Sequence, residues 1–183
     1  MQSDSRKSEP SRRPASPVVA VVLMGVSGCG KTEIGRRLAA ALGWDFHDGD
    51  GFHPPENVER MRQGIPLADE HRRPWLAAIA ADLATALDAG RGSVYACSAL
   101  ARRYREQLGL PRPGVLLVHL TGDVETIRRR LEARRGHYMP ASLLESQLAA
   151  LEPPGADEHP LVIDVGEPPE TIVRHIIATL PSR

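Results

Sequence analysis

The segment Gly25-Val-Ser-Gly-Cys-Gly-Lys31-Thr32 constrains this chain more than anything else in it. It fits G-x-x-x-x-G-K-[ST], and it stands where that pattern has a structural meaning. Before it runs Val18 to Met24, a continuous Val-rich apolar segment, as expected of a strand buried on both faces. After it, Ile34, Leu38, Ala41 and Leu42 recur at helical spacing, and Gly43 predicts the stop. A strand, a glycine-rich turn and a helix N-terminus together aim backbone N–H groups and the positive end of a helix dipole at phosphate oxygens. Lys31 then reaches the β- and γ-phosphates of a nucleoside triphosphate, and the Thr32 hydroxyl is placed for Mg²⁺. The chain has 21 arginines and two lysines, and the other lysine is Lys7. A surface charge without a duty would be written Arg here, so Lys31 is specified by its chemistry.

The rest of the chain alternates strand and helix signals. Strands are predicted at Trp44 to Asp48, Ser93 to Cys97, Val115 to Leu120 and Leu161 to Val165. One helix is predicted over 74–89, with Leu76, Ile79, Leu83 and Leu87 on its inner face and Gly90 as its stop. A second follows Asp123, with Val124, Ile127 and Leu131 inward. A third has the Ser142 and Glu145 capping pattern, and a last one opens at Pro168 and Pro169. Strands separated by helices imply βαβ units, a parallel sheet and an α/β fold in one domain over 18–183. Ligands in such sheets bind beyond the carboxyl ends of the strands. Asp48, Asp50, Cys97 and Ser98 fall there, as the glycine-rich turn does. Two polar segments, 51–73 and 134–141, break the rhythm and read as insertions over the site.

Formal net charge is zero, which gives no basic excess for nucleic acid. No apolar run approaches the ~20 residues that span a bilayer. Cys29 and Cys97 have no metal-ligand company, and a reduced cytoplasmic setting is expected. Residues 1–17, rich in Ser, Pro and Arg, read as a disordered tail without the apolar middle of a signal peptide.

The remaining candidates are side chains able to act on a triphosphate. In Asp48-Gly-Asp50, one carboxylate can hold Mg²⁺ through water and the other can take a proton from an attacking hydroxyl. Asp48 is the metal candidate with Thr32, and Asp48 and Asp50 are both catalytic candidates, with Lys31. The alternative for this tripeptide is a plain turn. The block from His53 to Leu76 offers several donors to an oxygen-rich ligand, and a solvated charged face is the alternative. Arg128, Arg129, Arg130, Arg134 and Arg135 suit a lid that neutralises phosphate charge. Arg134 is the catalytic candidate among them and Arg130 a nucleotide contact. A solvated helix end explains such a cluster equally well.

With these residues in place the chain resembles the gluconokinases of the P-loop kinase type, relatives of shikimate and nucleoside monophosphate kinases. The resemblance covers about residues 18–181. It is carried by Leu23 to Thr32, Asp48-Gly-Asp50, His53-Pro54 with Asn57, Pro66-Leu67, Asp69 and Arg72 to Leu76. Cys97 to Leu100, Tyr104-Arg105, Gly136-His137, Ser146-Gln147 and Leu151 to Pro153 complete it. It implies a P-loop kinase fold with a five-stranded parallel sheet flanked by helices. It also implies a substrate-binding insertion at 51–73, a lid at 134–141, and phosphorylation of the 6-hydroxyl of D-gluconate by ATP with Mg²⁺. Homodimers are common in the family. Gly25, Val26, Ser27, Gly28, Cys29, Gly30, Lys31 and Thr32 become the ATP cradle. Asp50, His53, Arg60, Arg72, Arg102, Arg105 and Gln147 become candidates for the sugar acid, whose carboxylate suits bidentate Arg. The chain departs from the family pattern at Arg60, often Lys, at His71, often acidic, and at Ala101, often basic. Two other readings are a shikimate-type kinase and a regulatory ATP-binding module without turnover. The chain's single Asn, Asn57, is followed by Val58, so the guanine-reading Asn-Lys-x-Asp motif of a GTPase is absent.

Overall fold

A computed structural model describes residues 17–133 and 142–181. The expected tail, apart from residue 17, and the expected lid at 134–141 lie outside them, as does Arg134. The elements in order are β1 (Ala20–Met24), α1 (Lys31–Leu42), β2 (Asp45–Asp48), α2 (Pro55–Arg62), α3 (Asp69–Asp88) and β3 (Ser93–Ala96). Then come α4 (Arg102–Gln107), β4 (Val115–Thr121), α5 (Val124–Glu132), α6 (Ser142–Ala150), β5 (Leu161–Asp164) and α7 (Pro169–Thr179).

The five strands form one parallel sheet in the order β2-β3-β1-β4-β5. All five residues of β1 are fully buried. Strand side chains alternate faces, so Val21 and Leu23 enter the layer built with Ile34, Leu38, Ile127, Ile172 and Ile176. Ala20, Val22 and Met24 enter the opposite layer with Trp75, Leu76, Ile79 and Leu83. Burying one such large apolar side chain is worth roughly 1.5–3 kcal/mol, so the central strand anchors both helical layers. Among the described residues no helix is long and apolar enough to cross a membrane.

Local chemistry accounts for most boundaries. Gly43 ends α1 in the left-handed region at φ 66°, and its N–H returns to the carbonyls of Ala39 and Ala40. Asp123 caps α5 by accepting from the Thr126 N–H at 2.8 Å. Some expectations need correction. Helix α3 starts at Asp69, five residues before the predicted 74, and carries Pro74 inside it. A proline lacks the N–H that would bond the carbonyl four residues back. Here both Pro74 and Glu70 are exposed, so the unpaired carbonyl falls on the solvent side of the helix. Val124, expected inward, is 40% exposed. Helix α4 was not expected at all. The insertion at 51–73 contains a short 3-10 turn (Gly49–Phe52 overlaps its start), helix α2 and the first turn of α3.

Candidate active site

The loop between β1 and α1 is shaped by glycine at its first position. Gly25 sits at φ 142°, and a Cβ there would come within 2.6 Å of the Leu120 carbonyl oxygen. Only glycine lets the chain leave the central strand so close to β4. The Lys31 ammonium lies over the loop, donating to the carbonyls of Gly25 (2.9 Å) and Val26 (3.0 Å). Cys29 is fully buried, with its sulfur 4.0 Å from Lys31 Nζ. Thr32, in the first turn of α1, donates from its hydroxyl to Asp48 Oδ2 at 3.1 Å.

Asp48 ends β2, and its other carboxylate oxygen accepts from the Asp50 N–H at 3.2 Å. The turn carrying Asp50 is held from both sides. A Cβ on Gly49 would meet the Ala96 carbonyl oxygen at 2.4 Å, so the turn packs directly on β3. The Trp75 indole donates to the Gly49 carbonyl at 2.7 Å from α3. Asp48 and Asp50 therefore face the phosphate loop across one cleft, with Lys31, Thr32 and Ser27 on the other wall.

Two further cleft residues have distinct electrostatics. His53 stacks on Trp75, with ring centroids 4.2 Å apart. Burial, reinforced by the nearby Arg72 charge, pushes its imidazole down to about 4, so the ring is neutral at pH 7. Arg72 donates through Nε and Nη2 to the Leu67 carbonyl at 3.2 and 3.0 Å. Its guanidinium carbon lies 5.2 Å from the Tyr104 ring centroid. Among the described residues Arg72 makes no salt bridge, although its charge reaches Asp69. Lys31 and Arg72 are thus the two permanent cations lining this cleft among the described residues.

Other candidates are placed as follows, and the placements of Arg105, Arg102 and Arg60 are corrections. Arg105 is fully buried. It makes a two-point pair with Glu158 (2.6 and 3.0 Å) and donates to the carbonyls of Ala99, Leu100 and Glu152. Its donors are spent on the protein, so it is a structural residue and no sugar-acid contact. Arg102 points outward from α4 to Asp157 and Glu106. Arg60 is on the exposed side of α2 and does not line the cleft. Gln147 does line it, but its amide is bonded to Ser27 of the phosphate loop. Arg130 donates to the Val165 carbonyl at 3.0 Å and borders a second groove on the far side of the loop, with Cys29, Glu33 and Ile172. Cys97 is buried, and its thiol is pushed up to about 12 by desolvation, so it is inert.

The two other departures from the family pattern also have places. His71 accepts the Ala68 N–H at 3.1 Å, taking over the cap of α3 that an acid would supply. Ala101 is buried ahead of α4 and does not line the cleft. Asn57 donates to the His71 carbonyl at 2.7 Å and is buried, so its work is to pin α2 to α3. Ser98 lines the cleft as its place after the third strand implies, and Trp75 lines it without having been singled out as a site residue. For Trp75 the signal was there, since the chain has only two tryptophans.

Comparison with known proteins is in keeping with this geometry. The shikimate kinase family model matches residues 27–181. A gluconokinase of Gluconobacter oxydans (strain 621H) is 46% identical over 157 residues, covering 86% of this chain and 88% of that protein. The crystal structure of a sugar kinase from Janibacter sp. HTCC2649 superposes with a TM-score of 0.82 at 45% identity, over 88% of this chain and 94% of that one. A gluconokinase structure from Sinorhizobium meliloti 1021 gives 0.78 at 42% identity, over 90% and 92%.

Proposed function

The chain belongs to the gluconokinases of the shikimate kinase family, and on that basis we propose that it transfers the γ-phosphoryl group of ATP to the 6-hydroxyl of D-gluconate. The observation that carries the acceptor side is the cleft's charge pattern. Opposite the phosphate loop it holds one carboxylate pair, one neutral imidazole and one arginine that makes no salt bridge among the described residues.

The roles follow from chemistry. ATP lays its phosphates on the loop 25–32, where Lys31 leaves the loop carbonyls for the β- and γ-oxygens. Its nucleoside end enters the groove bordered by Arg130. Gluconate sets its carboxylate on Arg72, whose guanidinium edge is already oriented by Leu67 and Tyr104. Neutral His53 serves the hydroxyls as donor and acceptor rather than as a counter-ion. The far end of the sugar acid then lies by Asp50. The 6-hydroxyl oxygen forms the new bond to phosphorus as the bond to the β–γ bridging oxygen breaks, ADP leaves with that electron pair, and the hydroxyl proton passes to Asp50.

The hydroxyl of Thr32 and the carboxylate of Asp48 lie 3.1 Å apart and are both hard oxygen donors, which fits Mg²⁺. Thr32 and Asp48 would hold the ion, which would supply positive charge against the phosphates.

Coupled ADP release, with gluconate, shikimate and a panel of other sugar acids, tests the function. Gluconate is expected to give the highest kcat/KM. Absence of gluconate-dependent turnover would overturn the proposal, and an ATP-induced heat-stability shift without any acceptor turnover would mark a regulatory module. Replacing Arg72 by Gln is expected to raise KM for gluconate by ~10- to 10²-fold, the worth of a hydrogen bond to a charged group. KM for ATP should move less than about 3-fold on the same reasoning, since Arg72 lies away from the loop. A rise in KM for ATP instead would place Arg72 on the phosphates.

A further inference from the structure

The side chain of Gln147, on α6, meets Ser27 of the phosphate loop across 120 residues of sequence through two hydrogen bonds. The Ser27 backbone N–H lies 2.7 Å from one end of the amide, and the Ser27 hydroxyl oxygen lies 3.0 Å from the other. A backbone N–H can only donate, so the amide end facing it must be the oxygen. The end facing the hydroxyl is then the NH₂ group, which can only donate. The Ser27 oxygen therefore accepts from Gln147, and its own proton points elsewhere. Among the described residues the hydroxyl has no other partner, and Ser27 lines the acceptor cleft.

Which phosphate that proton would meet follows from the two grooves. The loop shares Gly28 and Gly30 between them, but Ser27 borders only the cleft that holds Asp50 and Arg72. The triphosphate runs from the nucleoside groove to that cleft, so its terminal phosphoryl is the part beside Ser27. We propose that Gln147 fixes the Ser27 hydroxyl as a hydrogen-bond donor to the terminal phosphoryl group of the bound nucleotide. This rests on the phosphoryl-transfer reading and adds to it a positioning residue, Gln147, and a phosphoryl-facing donor, Ser27.

The pair makes a prediction that a merely structural contact does not. Glutamate at 147 keeps the length of the side chain and still accepts the Ser27 N–H. Its second oxygen accepts rather than donates, so the hydroxyl turns its proton onto the carboxylate and away from the phosphate. Calorimetric affinities of the full chain for ATP and ADP read this out without any acceptor. Ser27→Ala is expected to weaken ATP relative to ADP by ~10-fold, the worth of one hydrogen bond to a charged oxygen. Gln147→Glu is expected to do so at least as strongly, because it adds a negative charge as well. The double variant Ser27→Ala, Gln147→Glu is expected to match Gln147→Glu alone, since the hydroxyl is already out of use there. An unchanged ATP-to-ADP ratio in Ser27→Ala, or a double variant whose effect is the product of the two singles, overturns the proposal. Thermal midpoints of the variants close to the parent show that the readings come from folded protein. A failure of gluconate turnover alongside the expected ratios strikes the acceptor assignment and leaves this pair standing.

Discussion

Asp50→Asn is expected to lower kcat by at least ~10²-fold, the usual contribution of a positioned general base together with its charge in phosphoryl transfer. Asparagine has almost the same shape and fits the same turn. That turn is fixed by things the substitution leaves alone: the Asp48 carboxylate on the residue-50 N–H, the Trp75 indole on the Gly49 carbonyl, and Gly49 packed on β3. What is lost is an oxygen able to take the proton of the 6-hydroxyl. KM for ATP should therefore stay within about 3-fold of the parent, less than one neutral hydrogen bond is worth. Single-turnover rates with saturating ATP and gluconate separate the chemical step from product release and check the result. A variant with near-normal kcat removes Asp50 from the base role and leaves Asp48, or no base at all, for the step.

Arg105→Ala is expected to cost about 3–5 kcal/mol of stability, a large share of what holds a domain together. The substitution strands Glu158 as a buried carboxylate and leaves the carbonyls of Ala99, Leu100 and Glu152 without their shared donor. The Arg105 guanidinium holds the Glu158 carboxyl below its ordinary value, so the pair favours the folded state above that value and fades in acid. For a chain of this size the loss corresponds to a fall in Tm of about 10 °C. Differential scanning calorimetry checks it. Replacing both partners by apolar residues, Arg105→Met with Glu158→Leu, should cost less than Arg105→Ala alone, because no charge is then left buried. A single variant that loses less than about 1 kcal/mol would mean that water reaches Glu158 and that the pair is not sealed.

The same arginine shows where sequence reading fails. Its neighbours in the chain, Arg102 and Arg103, are exposed and paired with surface carboxylates. Three arginines in four residues look alike on paper. What sends one of them inward is Glu158, 53 residues away, and no local pattern announces that partner. Gln147 shows the same limit at greater distance: it lines the cleft as expected, but its bonds to Ser27, 120 residues away, have no local signal. The strand–loop–helix unit at the front of the chain was legible because its information is local: an apolar run, glycines and a helical period. The five strands were legible for the same reason, to within a few residues at each end. Helix α3 was clipped because Pro74 carries a strong local signal that its exposed position makes harmless. The six residues of α4 are too short and too charged to show a period.

The strand order has a metrical consequence. Strand β3 stands between β1 and β2, although it follows both in the chain. The phosphate loop grows from the end of β1, and Asp48 and Asp50 from the end of β2, so they are separated by two steps of the sheet. Each step is about 4.8 Å, which sets the two backbones about 10 Å apart. Side chains close part of that spacing, as where Thr32 and Asp48 reach across it to 3.1 Å. Neither loop length nor helix packing can easily stretch it, because it is ruled by the hydrogen-bond pitch of the backbone itself. The reaction is gauged by counting strands.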